Sequence, residues 1–91
     1  MESDVRLVQL ARLLGLDRAT ITARSARDAA ASQPTELAAS LAGEASANDD
    51  ITSRGAALDY LESRLSYFDD LFTAATADRV RAEFGTLVDA W

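Results

Sequence analysis

Apolar positions recur at helical spacing along nearly the whole chain. Val5, Leu7, Val8, Leu10, Ala11 and Leu14 place a broad apolar face on a first helix, with Ser3 as its N-cap and Gly15 as its stop. Asp17 is positioned to cap a second helix over 18–32, which must end near Pro34. On that helix Ala19, Ala23, Ala26 and Ala30 form a stripe narrow enough for another helix to approach closely. Pro34, Thr35 and Glu36 open a short third helix that carries Leu37, Ala38 and Leu41 and stops near Gly43.

Residues 44–50 read as a linker. A fourth helix follows from Asp50 or Thr52, with Ile51, Leu58, Leu61, Leu65, Phe68, Phe72 and Ala75 on a heptad-like seam. Ala57, Tyr60, Tyr67 and Leu71 widen this stripe beyond what a two-stranded coil uses, which points to a bundle. Thr76 is placed to cap a last helix, whose Val80, Phe84, Leu87, Val88 and Trp91 share one face. A terminal Trp predicts either a docked helix end or a chain that continues. No useful run of strand-like alternation occurs. The predicted fold is all-α, a four- or five-helix bundle in one domain over residues 1–91. Within it, 1–43 form an N-terminal αα-corner and its helices, 44–50 link, and 51–91 make a long helical hairpin.

Composition narrows the chemistry. Of 91 residues, 48% are hydrophobic, but 19 of these are alanine, so the large apolar side chains suffice for a modest core that dimerisation would help. The chain has no His, Cys or Lys. Their absence removes the usual zinc sites, thiol and Ser–His chemistry, Schiff-base catalysis and the phosphate-loop lysine. The expectation is therefore a protein that is not an enzyme and takes no cofactor or metal. An EF-hand register from Asp50 puts Gly55 at the turn position but Arg54 among the ligands, which rules it out. The neighbouring pairs Asp49, Asp50 and Asp69, Asp70 diverge on a helix and form no catalytic dyad.

The net charge of −6 is unevenly spread. Residues 1–33 hold five Arg against four acids, whereas 34–91 hold four Arg against eleven. An acidic surface favours a partner rich in Arg or Lys and disfavours nucleic acid and anionic membrane. Arg6, Gln9 and Arg12 interrupt the only candidate for a cleavable signal, and no apolar run is long enough to span a membrane. A cytoplasmic location is the plain expectation.

Two stretches carry resemblances. Residues 7–27 resemble a helix-turn-helix, with Ala11, Gly15 and Ile21 at the small, turn and apolar positions of that motif. The resemblance implies that Arg18, Thr20, Thr22, Arg24 and Arg27 face phosphates and base edges. Arg24, Ser25 and Asp28 stand where the motif usually has apolar anchors, and an αα-corner without DNA binding is the other reading of the same residues. The second stretch comprises residues 57–65 and 77–91, with Leu58, Asp59, Leu61, Glu62 and Leu65 before paired aliphatics and Trp91. It resembles the dimerising helix pair of C-terminal docking domains in modular polyketide synthases. That resemblance implies an intertwined dimer through Leu58, Leu61, Leu65, Val80, Phe84, Leu87 and Trp91.

Together these features predict a non-catalytic interaction or dimerisation module, of docking or adaptor type. Its predicted interface is Leu58, Leu61, Leu65, Phe68, Phe72, Val80, Phe84, Leu87 and Trp91, its partner a protein with a basic surface, and its assembly a homodimer. The alternative is a DNA-binding regulator that dimerises through the C-terminal hairpin.

Overall fold

A computed structural model describes residues 2–89. These fold into five helices, α1 (Glu2–Leu14), α2 (Ala23–Ser32), α3 (Pro34–Ala47), α4 (Arg54–Tyr67) and α5 (Ala74–Val88), with a 3-10 turn at Asp69–Leu71 between the last two. No strand occurs among the described residues, so the all-α prediction holds.

Helix α1 ends as its sequence predicts. Gly15 takes φ +70, the left-handed region glycine enters without steric cost, and Leu16 N–H reaches back to Ala11 O at 2.8 Å. The next helix does not start at Asp17. The Asp17 carboxylate instead accepts from Ala19 N–H at 2.9 Å and Thr20 N–H turns back to Asp17 O at 3.3 Å, closing a turn. The β-branched run Thr20, Ile21, Thr22 then resists helix, and α2 begins only where Thr22 and Ser25 form a reciprocal capping box. Of the predicted alanine stripe, Ala26 and Ala30 are buried, Ala23 is half-buried and Ala19 lies exposed in the turn.

Helix α3 differs most from its predicted form. It runs through Gly43 to Ala47, so residues 44–47 are helical and the connection to α4 shrinks to 48–53. Alanine and glutamate on either side of Gly43 are strong helix formers, and one interior glycine costs only about 1 kcal/mol. The longer α3 becomes the centre of the molecule: it packs on α1, α2, α4 and, most extensively, α5. Leu37, Ala38, Leu41 and Ala45 are buried on it, against a core that includes Val80, Phe84 and Val88 of α5. One continuous core includes residues from all five helices. The radius of gyration is 12.6 Å, close to the roughly 12 Å of a single folded unit of this length.

Ser53, rather than Asp50 or Thr52, caps α4 by accepting from Ala56 N–H at 3.1 Å. The heptad seam does not continue as one helix to Ala75. Helix α4 stops at Tyr67, and the next helix is capped by Thr73, whose hydroxyl accepts from Thr76 N–H at 3.2 Å. Thr76, read as the cap from sequence, is a buried residue inside α5. Salt bridges Arg54–Asp89 (2.8 Å) and Arg81–Glu62 (2.8 Å) show that α4 and α5 run antiparallel, as the hairpin reading requires.

Candidate interaction surface

The predicted interface divides in two. Leu61, Leu65, Phe68, Val80 and Phe84 are all buried within the single chain's own core. They are not a free surface, because α3 supplies the apolar face that a second copy was expected to provide. Leu58 and Phe72 are half-buried, and Leu87 is 40% exposed. Trp91 lies outside the described residues.

Phe72 marks the best-formed surface feature of that set. It follows the 3-10 turn, with its ring 5.8 Å from that of buried Phe68. Together with Leu65, Ala74 and Ala77 it lines a notch of about 290 Å³ where α4 hands over to α5. Asp69, Asp78 and Arg81 complete its wall. The arginine is already engaged: it donates to both Glu62 carboxylate oxygens at 2.8 and 3.1 Å, and to Asp78 at 3.0 Å. The hydrogen bond from Arg81 holds the Glu62 carboxyl below its ordinary range. Asp69, Asp78, Glu62 and Arg81 together leave two negative charges around an apolar floor.

The corner beside this notch is held by arginines from the other end of the chain. Arg6 of α1 donates to Tyr67 O at 2.9 Å and to both Asp70 carboxylate oxygens at 2.6 and 3.1 Å. A cation on the last carbonyl of α4 suits both the unsatisfied oxygen and the helix dipole. The Arg6 bond also keeps the Asp70 carboxyl below its ordinary range. Arg27 of α2 adds a bond to Asp70 O at 3.3 Å. The periodicity of residues 51–75 gave no sign of this clamp, because both of its donors lie more than 40 positions away in sequence.

The predicted DNA-contacting residues are not presented by one helix. Arg18 and Thr20 sit in the eight-residue connection between α1 and α2, Thr22 caps α2, and Arg27 is engaged by the α4–α5 corner. Arg18 and Arg24 are exposed and have no ion-pair or hydrogen-bond partner among the described residues. The connection from α1 to α2 spans residues 15–22 and contains the turn closed at Asp17.

Among the described residues no group of acids is arranged to hold a metal ion, and no helix is long and apolar enough to cross a membrane. No protein-family model, curated protein or solved structure matches this chain.

Proposed function

We propose that this chain is a non-catalytic protein-interaction module that receives an apolar side chain flanked by basic residues at the Phe72 notch. The observation that supports this reading is a half-buried aromatic floor rimmed by Asp69 and Asp78, with the neighbouring arginine already neutralised. A partner's aliphatic or aromatic anchor would lose water against Phe72, Ala74 and Ala77, while its Arg or Lys residues meet the acids. The −6 charge of the whole chain would speed the encounter with such a partner. This keeps the docking or adaptor role expected from sequence but moves it from the whole seam to the Phe72 end. The burial of Leu61, Leu65, Phe68, Val80 and Phe84 weighs against a homodimer made by the whole seam. Self-association would have to use Leu58, Phe72 and Leu87.

The test is light scattering and fluorescence anisotropy with a labelled peptide of alternating Arg and Leu. The expected result is saturable, salt-weakened binding to a monomer, reduced at least tenfold by Asp69→Asn with Asp78→Asn and by Phe72→Ala. Binding indifferent to all three substitutions would overturn the proposal. A second reading, DNA binding, rests on exposed Arg18 and Arg24 with no partner among the described residues. Duplex DNA in the same instrument tests it: a salt-sensitive complex lost on Arg18→Ala with Arg24→Ala would favour that reading over the first.

A further inference from the structure

Helices α1 and α4 run antiparallel, because Arg6 reaches Tyr67 O and Arg64 reaches Gln9. Yet their backbones do not pack along each other as those of α1 and α3, or α3 and α4, do. Helix α3 lies between them and contributes Ser40 and Glu44. The result is an open groove of about 490 Å³, walled by Gln9, Arg12 and Leu13 on one side and Tyr60 and Arg64 on the other. That volume lies within the range of small-molecule sites.

The polar groups of this groove are unevenly satisfied. Ser40 Oγ–H donates to Leu13 O at 2.9 Å, and Tyr60 O–H donates to one Glu44 oxygen at 3.0 Å. Arg64 sits against two aromatic rings, its guanidinium carbon 5.0 Å from the Tyr67 centroid and 4.9 Å from that of Phe68. The one hydrogen bond that its guanidinium makes among the described residues is a long one, 3.4 Å to Gln9 Oε1, and its Nε–H is buried without an acceptor there. Arg12, one turn along α1 from Gln9, is exposed and has no partner among the described residues. Two arginines thus line one groove against a single acidic residue, an excess of positive charge in a chain of net charge −6. Like charges sharing a groove repel, and an anion between them reverses the sign of the interaction. The planar fork of arginine matches carboxylate and phosphate oxygens two at a time.

We propose that the α1–α4 groove binds a small organic oxyanion, a carboxylate or phosphate monoester, with its head on Arg12 and Arg64 and its body against Leu13 and Tyr60. This site is separate from the Phe72 notch and does not depend on it. The test is a titration of the intact chain with phenyl phosphate, benzoate and inorganic phosphate, followed by NMR of backbone amides and arginine Nε–H groups. Saturable shifts at Arg64 Nε–H, Gln9 and Ser40 are expected, with phenyl phosphate and benzoate both binding more tightly than inorganic phosphate. Arg12→Gln, at an exposed position that leaves the core untouched, should weaken binding at least tenfold. Arg64→Lys, which keeps the charge but loses the fork, should also weaken it, while Arg79→Gln on α5 should change nothing. Shifts that fail to saturate, that survive Arg12→Gln, or that spread equally over Arg18, Arg24 and Arg79 would overturn the proposal.

Discussion

Helices α3 and α5 form the molecule's most extensive interface, whereas α1 and α4 face each other across a groove bridged by long polar side chains. The difference follows from side-chain size and chemistry. Helix α3 buries alanine and leucine, and α5 brings Val80, Phe84 and Val88, so the backbones approach and water is excluded. Helices α1 and α4 instead set Gln9 and Arg12 opposite Tyr60 and Arg64, groups that need solvent or partners. One pair holds the fold together; the other leaves an open groove.

The comparison is broken most directly at Phe84, which is fully buried. Phe84→Ala should destabilise the chain by about 3–5 kcal/mol, through lost burial and a residual cavity. Much of the stability of a small domain would go with it. The loss should be insensitive to salt, and urea denaturation at two ionic strengths checks both statements. Ala38→Leu probes the same core from the opposite direction. Ala38 is also fully buried, and adding a larger side chain in close-packed surroundings should cost about 1–3 kcal/mol.

These two residues also show how far the sequence could be read. The buried face of α5 and the apolar positions of α4 follow from spacing alone, because each apolar stripe must find a cover. What spacing does not supply is the identity of that cover. Leu37, Ala38, Leu41 and Ala45 present so little large apolar surface that α3 reads as a short connecting helix, and the seam is then left without a cover from its own chain. The corner at residues 68–73 was hidden for a related reason. The heptad pattern runs unbroken through Phe68 and Phe72, and the backbone departs from it where Thr73 caps the next helix and Arg6 and Arg27 hold the turn. Of the candidate site, Phe72 was legible as an apolar seam position. The groove beside Arg64 was not, because its walls come from three helices and its arginines lie at no recognisable spacing.

A smaller effect is expected from the polar bridges, and it should carry the signature the α3–α5 interface lacks. The Asp70 carboxyl titrates lower in the fold than in the unfolded chain, chiefly through its hydrogen bond from Arg6, and Glu62 does so through Arg81. A depressed carboxyl contributes stability that is present above its unfolded pKa, about 4, and is lost as pH falls through the folded value. Arg6→Gln should therefore lower stability at neutral pH by much less than Phe84→Ala. It should also flatten the decline below about pH 4, and lose most of its effect at high salt. Thermal unfolding of parent and variant between pH 2 and 7 distinguishes this from a packing defect, which would shift the whole curve.

The smallest expected change is spectroscopic and reports on the groove itself. Tyr60 titrates above the ordinary tyrosine value of 10.0, first because burial disfavours the phenolate, then because its O–H donates to Glu44. In a Tyr67→Phe background the remaining tyrosine should ionise above pH 10.0 by ultraviolet absorbance. Glu44→Gln should bring the midpoint down without restoring the ordinary value, since burial is the larger cause. With the folded pKa raised, this contribution to stability is complete below the unfolded value and is lost as pH rises through the folded one. A midpoint at or below the ordinary value would mean that Tyr60 stands in open water. The α1–α4 groove would then be wider and wetter than its walls imply, and the contrast with α3–α5 would be larger still.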